Sequence, residues 1–128
     1  MNLNNYKKLS GDASFRSFYR TKKSIIVHCR KNKRQNLLIY DAVNKLLIKN
    51  GITAPKLISN KYKKNYIEIE DFGDLTIYHF LKKNKKKRLS IFKKIFHLLK
   101  KIQSIKKTQI RDFNKKYYQI PNYTEKKI

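Results

Sequence analysis

Short runs in which apolar and polar positions alternate fill the first third of the chain. Residues 6–9, 17–20 and 24–29 are rich in β-formers and separated by turns, which predicts three strands. The turn at Lys22-Lys23 is short enough to make the last two a hairpin. After a basic loop over residues 30–34 the spacing changes. Leu37, Leu38, Tyr40, Val43, Leu46, Leu47 and Ile48 fit a helix with a broad apolar face, stopped by Asn50-Gly51 with Gly51 as a left-handed cap. Asp41 is the helix's one acid and reads as facing water. Pro55 then holds residues 52–58 extended on the way to a strand. Tyr66-Ile67-Glu68-Ile69-Glu70 alternates cleanly and predicts another, closed by Asp71-Phe72-Gly73-Asp74. Residues 75–81 predict a short helix capped by Asp74 or Thr76. Residues 82–87 read as an exposed basic linker. Leu89, Phe92, Ile95, Phe96, Leu99, Ile102 and Ile105 then step by three or four, as in an amphipathic helix. From Thr108 onward the pattern is irregular, with a turn at Ile120-Pro121-Asn122-Tyr123. The predicted class is α+β: an antiparallel sheet of about five strands with one packed helix, leading by a hinge into further helices.

Composition narrows the class. A chain of 128 residues, 40% of them hydrophobic, is one domain or less with a modest core. Cys29 is the only cysteine, which excludes an intrachain disulfide and a cysteine-based metal site, and its apolar setting reads as a buried strand position. The first residues lack the apolar core of a signal peptide, and no run approaches the roughly 18 apolar residues of a membrane span. A cytoplasmic protein with no membrane partner is expected.

The formal net charge is +25. Nucleic acid, phosphate-rich ligands or another polyanion are the partners such a charge favours. The lysines are nevertheless spread from Lys7 to Lys127, alongside an excess of Asn, Ile and Tyr. An AT-rich coding sequence drifts toward that composition without selection for polyanion binding.

Local chemistry is concentrated at Leu9-Ser10-Gly11-Asp12-Ala13-Ser14-Phe15-Arg16. Gly11 permits a tight backbone, and Asp12, Ala13 and Ser14 leave peptide N–H groups uncovered. Such a turn can bring its backbone against a phosphate and offer the Ser14 hydroxyl; an ordinary surface hairpin is the alternative. Together with Tyr19-Arg20, with Asn50-Gly51-Ile52-Thr53-Ala54-Pro55-Lys56-Leu57 leading to residues 67–74, and with Gln103 followed by residues 120–123, this segment resembles the aminoglycoside phosphotransferase/choline kinase superfamily. The likeness is nearest to the bacterial kinases that phosphorylate N-acetylmuramate and N-acetylglucosamine at the anomeric position.

The resemblance implies a protein-kinase-like N-terminal lobe over residues 1–74 and the start of a helical C-terminal lobe over residues 75–128, truncated before the catalytic loop. It implies ATP and Mg²⁺ as cofactors and a small-molecule acceptor such as an amino sugar in the complete protein. Gly11, Asp12, Ala13, Ser14, Phe15 and Arg16 would cover the ATP phosphates. Glu70, Asp71, Phe72 and Gly73 would be the hinge whose backbone meets adenine. Pro121 and Tyr123 would open the sugar-side region. Three features depart from that pattern. The third strand, Ser24-Ile25-Ile26-Val27-His28-Cys29, has no lysine to hold the α/β-phosphates. Arg30, Lys31 and Lys33 follow it and read as a solvated loop, and His28 reads as structural. No His-x-Asp loop is present: His79 precedes Phe80-Leu81 and His97 precedes Leu98-Leu99, while Asp112 reads as a surface turn. The chain is therefore expected to bind nucleotide yet be inactive alone. A small basic nucleic-acid-binding protein and a pseudokinase-like interaction module are the alternatives.

Overall fold

Alternation along the first strands becomes two faces of one sheet. The computed structural model describes residues 3–9, 14–106 and 109–120. They fall into two units, Met1–Asp71 with Thr108–Ile128, and Phe72–Lys107. The first unit holds strands β1 (Lys7–Lys8), β2 (Arg16–Arg20) and β3 (Ile25–Cys29), helix α1 (Gln35–Lys49), and strands β4 (Leu57–Lys61) and β5 (Tyr66–Ile69). The five strands form one antiparallel sheet in the order β1-β2-β3-β5-β4. The sequence-predicted α+β class is observed, with three α-helices among the described residues.

The register assigns each side chain a face. Arg16 pairs with Cys29, Phe18 with Val27, and Arg20 with Ile25; Val27 in turn pairs with Ile67, and Ile25 with Ile69. Ile25, Val27, Cys29, Ile67 and Ile69 join Leu37 of α1 in the buried core, with Phe18, Tyr40 and Leu57 packed against it. Val27, Leu37 and Ile67 are wholly buried, and Cys29 is 1% exposed as its apolar surroundings predict. Burying each such aliphatic side chain contributes about 1.5–3 kcal/mol, so this one layer of contacts dominates the unit.

Helix α1 ends as the sequence predicts. Gly51 adopts φ 66°, and the Gly51 and Ile52 amides donate to Ile48 O and Leu47 O, both at 2.9 Å. These are the two reverse bonds of a glycine-terminated helix, and the Asn50 side chain adds one, its Nδ2 donating to Leu46 O at 2.8 Å.

Three expectations are corrected here. The segment after Thr108 is not irregular: β6 (Gln109–Arg111) and β7 (Tyr117–Gln119) form an antiparallel hairpin belonging to the first unit. Asp112, at its turn, is only 7% exposed; Oδ1 accepts from the Asn114 amide at 2.7 Å and the Lys116 amide at 3.2 Å. The sequence lacks the long alternating run that announces a strand, and the hairpin is held instead by this Asp-centred turn and by Phe113 packing edge-on to Tyr62, 5.6 Å between centroids. Asp41 does not face water either. It is 2% exposed and pairs with Lys45 Nζ at 2.6 Å, one helical turn on.

The second unit carries α2 (Ile77–Lys83) and α3 (Arg88–Gln103). Thr76 caps α2 by accepting from the His79 amide, one of the two caps expected. The basic linker is shorter than expected, because a single 3₁₀ turn at Lys85–Lys87 joins the helices. The apolar stripe of α3, including Leu89, Phe92, Phe96 and Leu99, is exposed. No helix among the described residues is long and apolar enough to cross a membrane.

Two measurements check this packing. Leu37→Ala is expected to cost about 2–5 kcal/mol in chemical denaturation, the range for emptying a fully buried leucine site. Burial pushes the Asp41 carboxyl up from its ordinary value of 3.8; the Lys45 ammonium opposes the rise, the Asp112 charge adds to it, and the Phe113 amide opposes it. A carboxyl raised in the folded state contributes stability at low pH that is lost as pH rises from the ordinary value through the folded one. Asp41→Asn removes that loss, so its stability relative to the natural protein should increase as the pH rises above about 4. A decrease over that range would show the Lys45 pair outweighing burial.

Candidate functional site

The two faces of the sheet carry different chemistry beside β2. Side chains alternate along β2, so Arg16 and Phe18 point toward α1 while Ser17 and Tyr19 point away. On the α1 side, the Arg16 guanidinium sits 5.0 Å from the Tyr40 ring centroid, and Phe18 meets the same ring edge-on at 6.0 Å. Arg16 Nε is buried with no hydrogen-bond partner among the described residues. Burial raises the Cys29 thiol pKa against the pull of Arg16. Burial likewise raises the Tyr40 phenol, opposed by a hydrogen bond to Asn44 and by Arg16. Both groups are therefore neutral at pH 7, and Arg16 is the charge they face.

On the opposite side lies a cavity of about 540 Å³. Ser17, Tyr19 and His28 line it from the strands, Ser14 and Phe15 from the turn, and Arg30, Asn32 and Lys33 from the loop after β3. Lys33 Nζ lies 4.6 Å from the Phe15 ring centroid. Burial lowers the His28 pKa, so the imidazole is neutral near pH 7.

The far end of the α1-facing side is closed by a fork. Arg20 Nε lies 2.6 Å from Asp71 Oδ2, and Arg20 Nη2 donates to Asp71 Oδ1 at 2.9 Å. This two-point pair ties β2 to the residue just beyond β5. Glu70 is committed to β4: its amide donates to Lys56 O and its Oε2 accepts from the Lys56 amide, each at 3.0 Å. In the second unit, Phe72 is exposed and Gly73 adopts φ 78°, a left-handed backbone that suits glycine.

The sequence-predicted site residues are thus only partly gathered. Ser14 and Phe15 sit at the cavity, on the side opposite Arg16. The Ser14 hydroxyl stitches its own turn, accepting from the Arg16 amide at 3.2 Å and donating to Arg16 O at 3.3 Å. Gly11, Asp12, Ala13, Pro121 and Tyr123 lie outside the described residues. Residues read as a solvated loop, Arg30 and Lys33, line the cavity, as does His28, read as structural. The strand alternation held part of that signal, since the hairpin register places Ser17 beside His28. Among the described residues no three His, Cys, Asp or Glu side chains group as a metal site.

No protein-family profile, curated protein or solved structure matches this chain.

The Arg20–Asp71 fork has a measurable weight. Both side chains are about one-fifth exposed, so solvent screens part of the attraction. A double-mutant cycle with Arg20→Met and Asp71→Asn should give a coupling of about 0.5–2 kcal/mol in denaturation, above the usual surface pair because the contact has two points. Coupling near zero would reduce it to an ordinary surface contact.

Proposed function

We propose that this chain is the ATP-binding N-terminal portion of a small-molecule kinase of the aminoglycoside phosphotransferase kind, with a protein-kinase-like lobe and an amino sugar as acceptor in the complete protein. One observation carries the reading: Leu9 and Ser14, which flank the turn, lie at the opposite end of one sheet from the segment Glu70-Asp71. Arg16 sits at the first end, and the Arg20–Asp71 pair closes the second. The five residues of β2 separate these ends by about 13 Å, at roughly 3.3 Å per residue, a span suited to a nucleoside triphosphate laid along the strands. Strand order agrees with the resemblance, three strands, a helix, then two strands.

In this reading residues 11–15 arch over the phosphates and supply peptide N–H groups. Arg16, whose buried Nε lacks a partner among the described residues, supplies the positive charge that the lysine-free third strand does not. Leu9 and Phe18, both half-buried, offer apolar surface toward adenine, and the backbone of Glu70 and Asp71 borders it. Mg²⁺ would neutralise triphosphate charge, but the described residues gather no acidic set to hold it, and no step is assigned to the metal. Orienting an acceptor hydroxyl needs a carboxylate, and no His-x-Asp motif occurs in these residues. The chain therefore binds nucleotide and does not turn it over.

Titration of the whole chain with ATP tests this directly. Saturable binding is expected, weakened about tenfold or more by Arg16→Gln, as for loss of a charge-assisted phosphate contact. Transfer of the γ-phosphate to sugars or water should be undetectable. Absence of saturable nucleotide binding would remove the reading.

A further inference from the structure

Apart from Ser14 and Phe15 at its edge, the cavity on the face away from α1 takes no part in the nucleotide reading, and the chemistry of its floor and rim stands independently of it. Ser17, Tyr19 and His28 form a half-buried floor that brings two hydroxyls and an imidazole together. Arg30 and Lys33 stand exposed at its rim. Among the described residues no carboxylate lines the cavity, and neither rim cation has an ion-pair partner. Its volume of about 540 Å³ lies in the range of small-molecule sites. Uncompensated cations over recessed hydroxyl donors are the chemistry that recognises an oxyanion, the guanidinium by its fork and the ammonium as a point charge.

We propose that this cavity binds a small phosphate monoester. The phosphoryl group sits between Arg30 and Lys33, and the organic part lies on Ser17, Tyr19 and His28. The recess favours a small ligand over a nucleic acid: polymer phosphates would meet the exposed rim cations without reaching the half-buried floor. The floor is the part that tells the two apart.

Proton NMR of the whole chain offers a site-specific reading, because the protein has three histidines and His28→Gln assigns the His28 signal. Glucose 6-phosphate, inorganic phosphate, glucose and a short oligonucleotide are the probes. Glucose 6-phosphate should move the His28 resonance saturably and more tightly than inorganic phosphate, and glucose should leave it unmoved. The double variant Arg30→Gln with Lys33→Gln changes only exposed side chains. It should keep its circular dichroism and lose at least tenfold in glucose 6-phosphate affinity, while ATP affinity stays within twofold.

An unmoved His28 signal, or equal affinity in the double variant, would overturn the proposal. Inorganic phosphate binding as tightly as the ester would overturn the ester assignment. Preferential movement of His28 by the oligonucleotide would give the site to a polymer instead. Displacement of glucose 6-phosphate by ATP, with ATP binding lost in the double variant, would make this cavity the nucleotide site. That outcome overturns the second site while leaving nucleotide binding intact; loss of ATP binding in Arg16→Gln alone keeps the two apart.

Discussion

Burial of one side of β3 against α1 is the constraint on which the first unit depends. Val27 and Cys29 are sealed beneath Leu37, and the register of both neighbouring strands follows from keeping them there. A slip of one residue would turn His28 into the helix interface and Val27 out of it, an exchange that costs most of the core. Position on the sheet is therefore not free for any polar residue of β2. Arg16 is held beside Cys29, and Ser17 is held beside His28, because the apolar residues between them leave no other pairing.

That constraint divides the chemistry. A cation above an aromatic ring and a buried thiol lies on one side; hydroxyls, an imidazole and two rim cations lie on the other. The start of β2 borders both: Ser14 and Phe15 meet the cavity while Arg16, the next residue, faces the helix. The two sets need no extra architecture; the pleat of β2 separates them.

Much of this was legible in the sequence, and the failures have physical causes. Ile25 to Cys29 and Leu37 to Ile48 carry the unbroken periodicities of a buried strand and a helix face, and both elements were placed to within a few residues. Gly51 was readable because its local bonds decide its conformation. The hairpin of β6 and β7 was not, since three-residue strands carry too few positions for a period. Its stability comes from the local turn bonds to Asp112 and from Phe113, whose partner Tyr62 is distant in sequence. Asp41 was misread for the same reason: helical spacing gives a direction but not what the hairpin brings over it. Arg30 and Lys33 looked like solvated loop because their neighbours across the cavity are chosen by the β2–β3 register. Of the expected site, only residues 14–16 and 70–73 are described; the turn's small residues and Pro121 and Tyr123 are not.

The balance of charge ties folding to anions. Against 33 lysines and arginines stand eight carboxylates, and five of those are engaged within the first unit. Asp41 holds Lys45, Asp71 holds Arg20, Glu68 accepts from Ser24 and Ser59, Glu70 accepts from the Lys56 amide, and Asp112 closes its turn. These acids stabilise strand and helix geometry, so they are poorly free to screen the remaining cations. Like charges held in a compact body repel, and the repulsion is strongest where walls of low dielectric confine the field, as around Arg16 and in the cavity beneath Arg30 and Lys33. An anion entering either place relieves repulsion that the fold itself imposes. A ligand that binds only the folded chain adds RT ln(1 + [L]/Kd) to its stability. In a chain this basic, with a core this modest, an anion bound by the folded form alone would add directly to the stability of the fold.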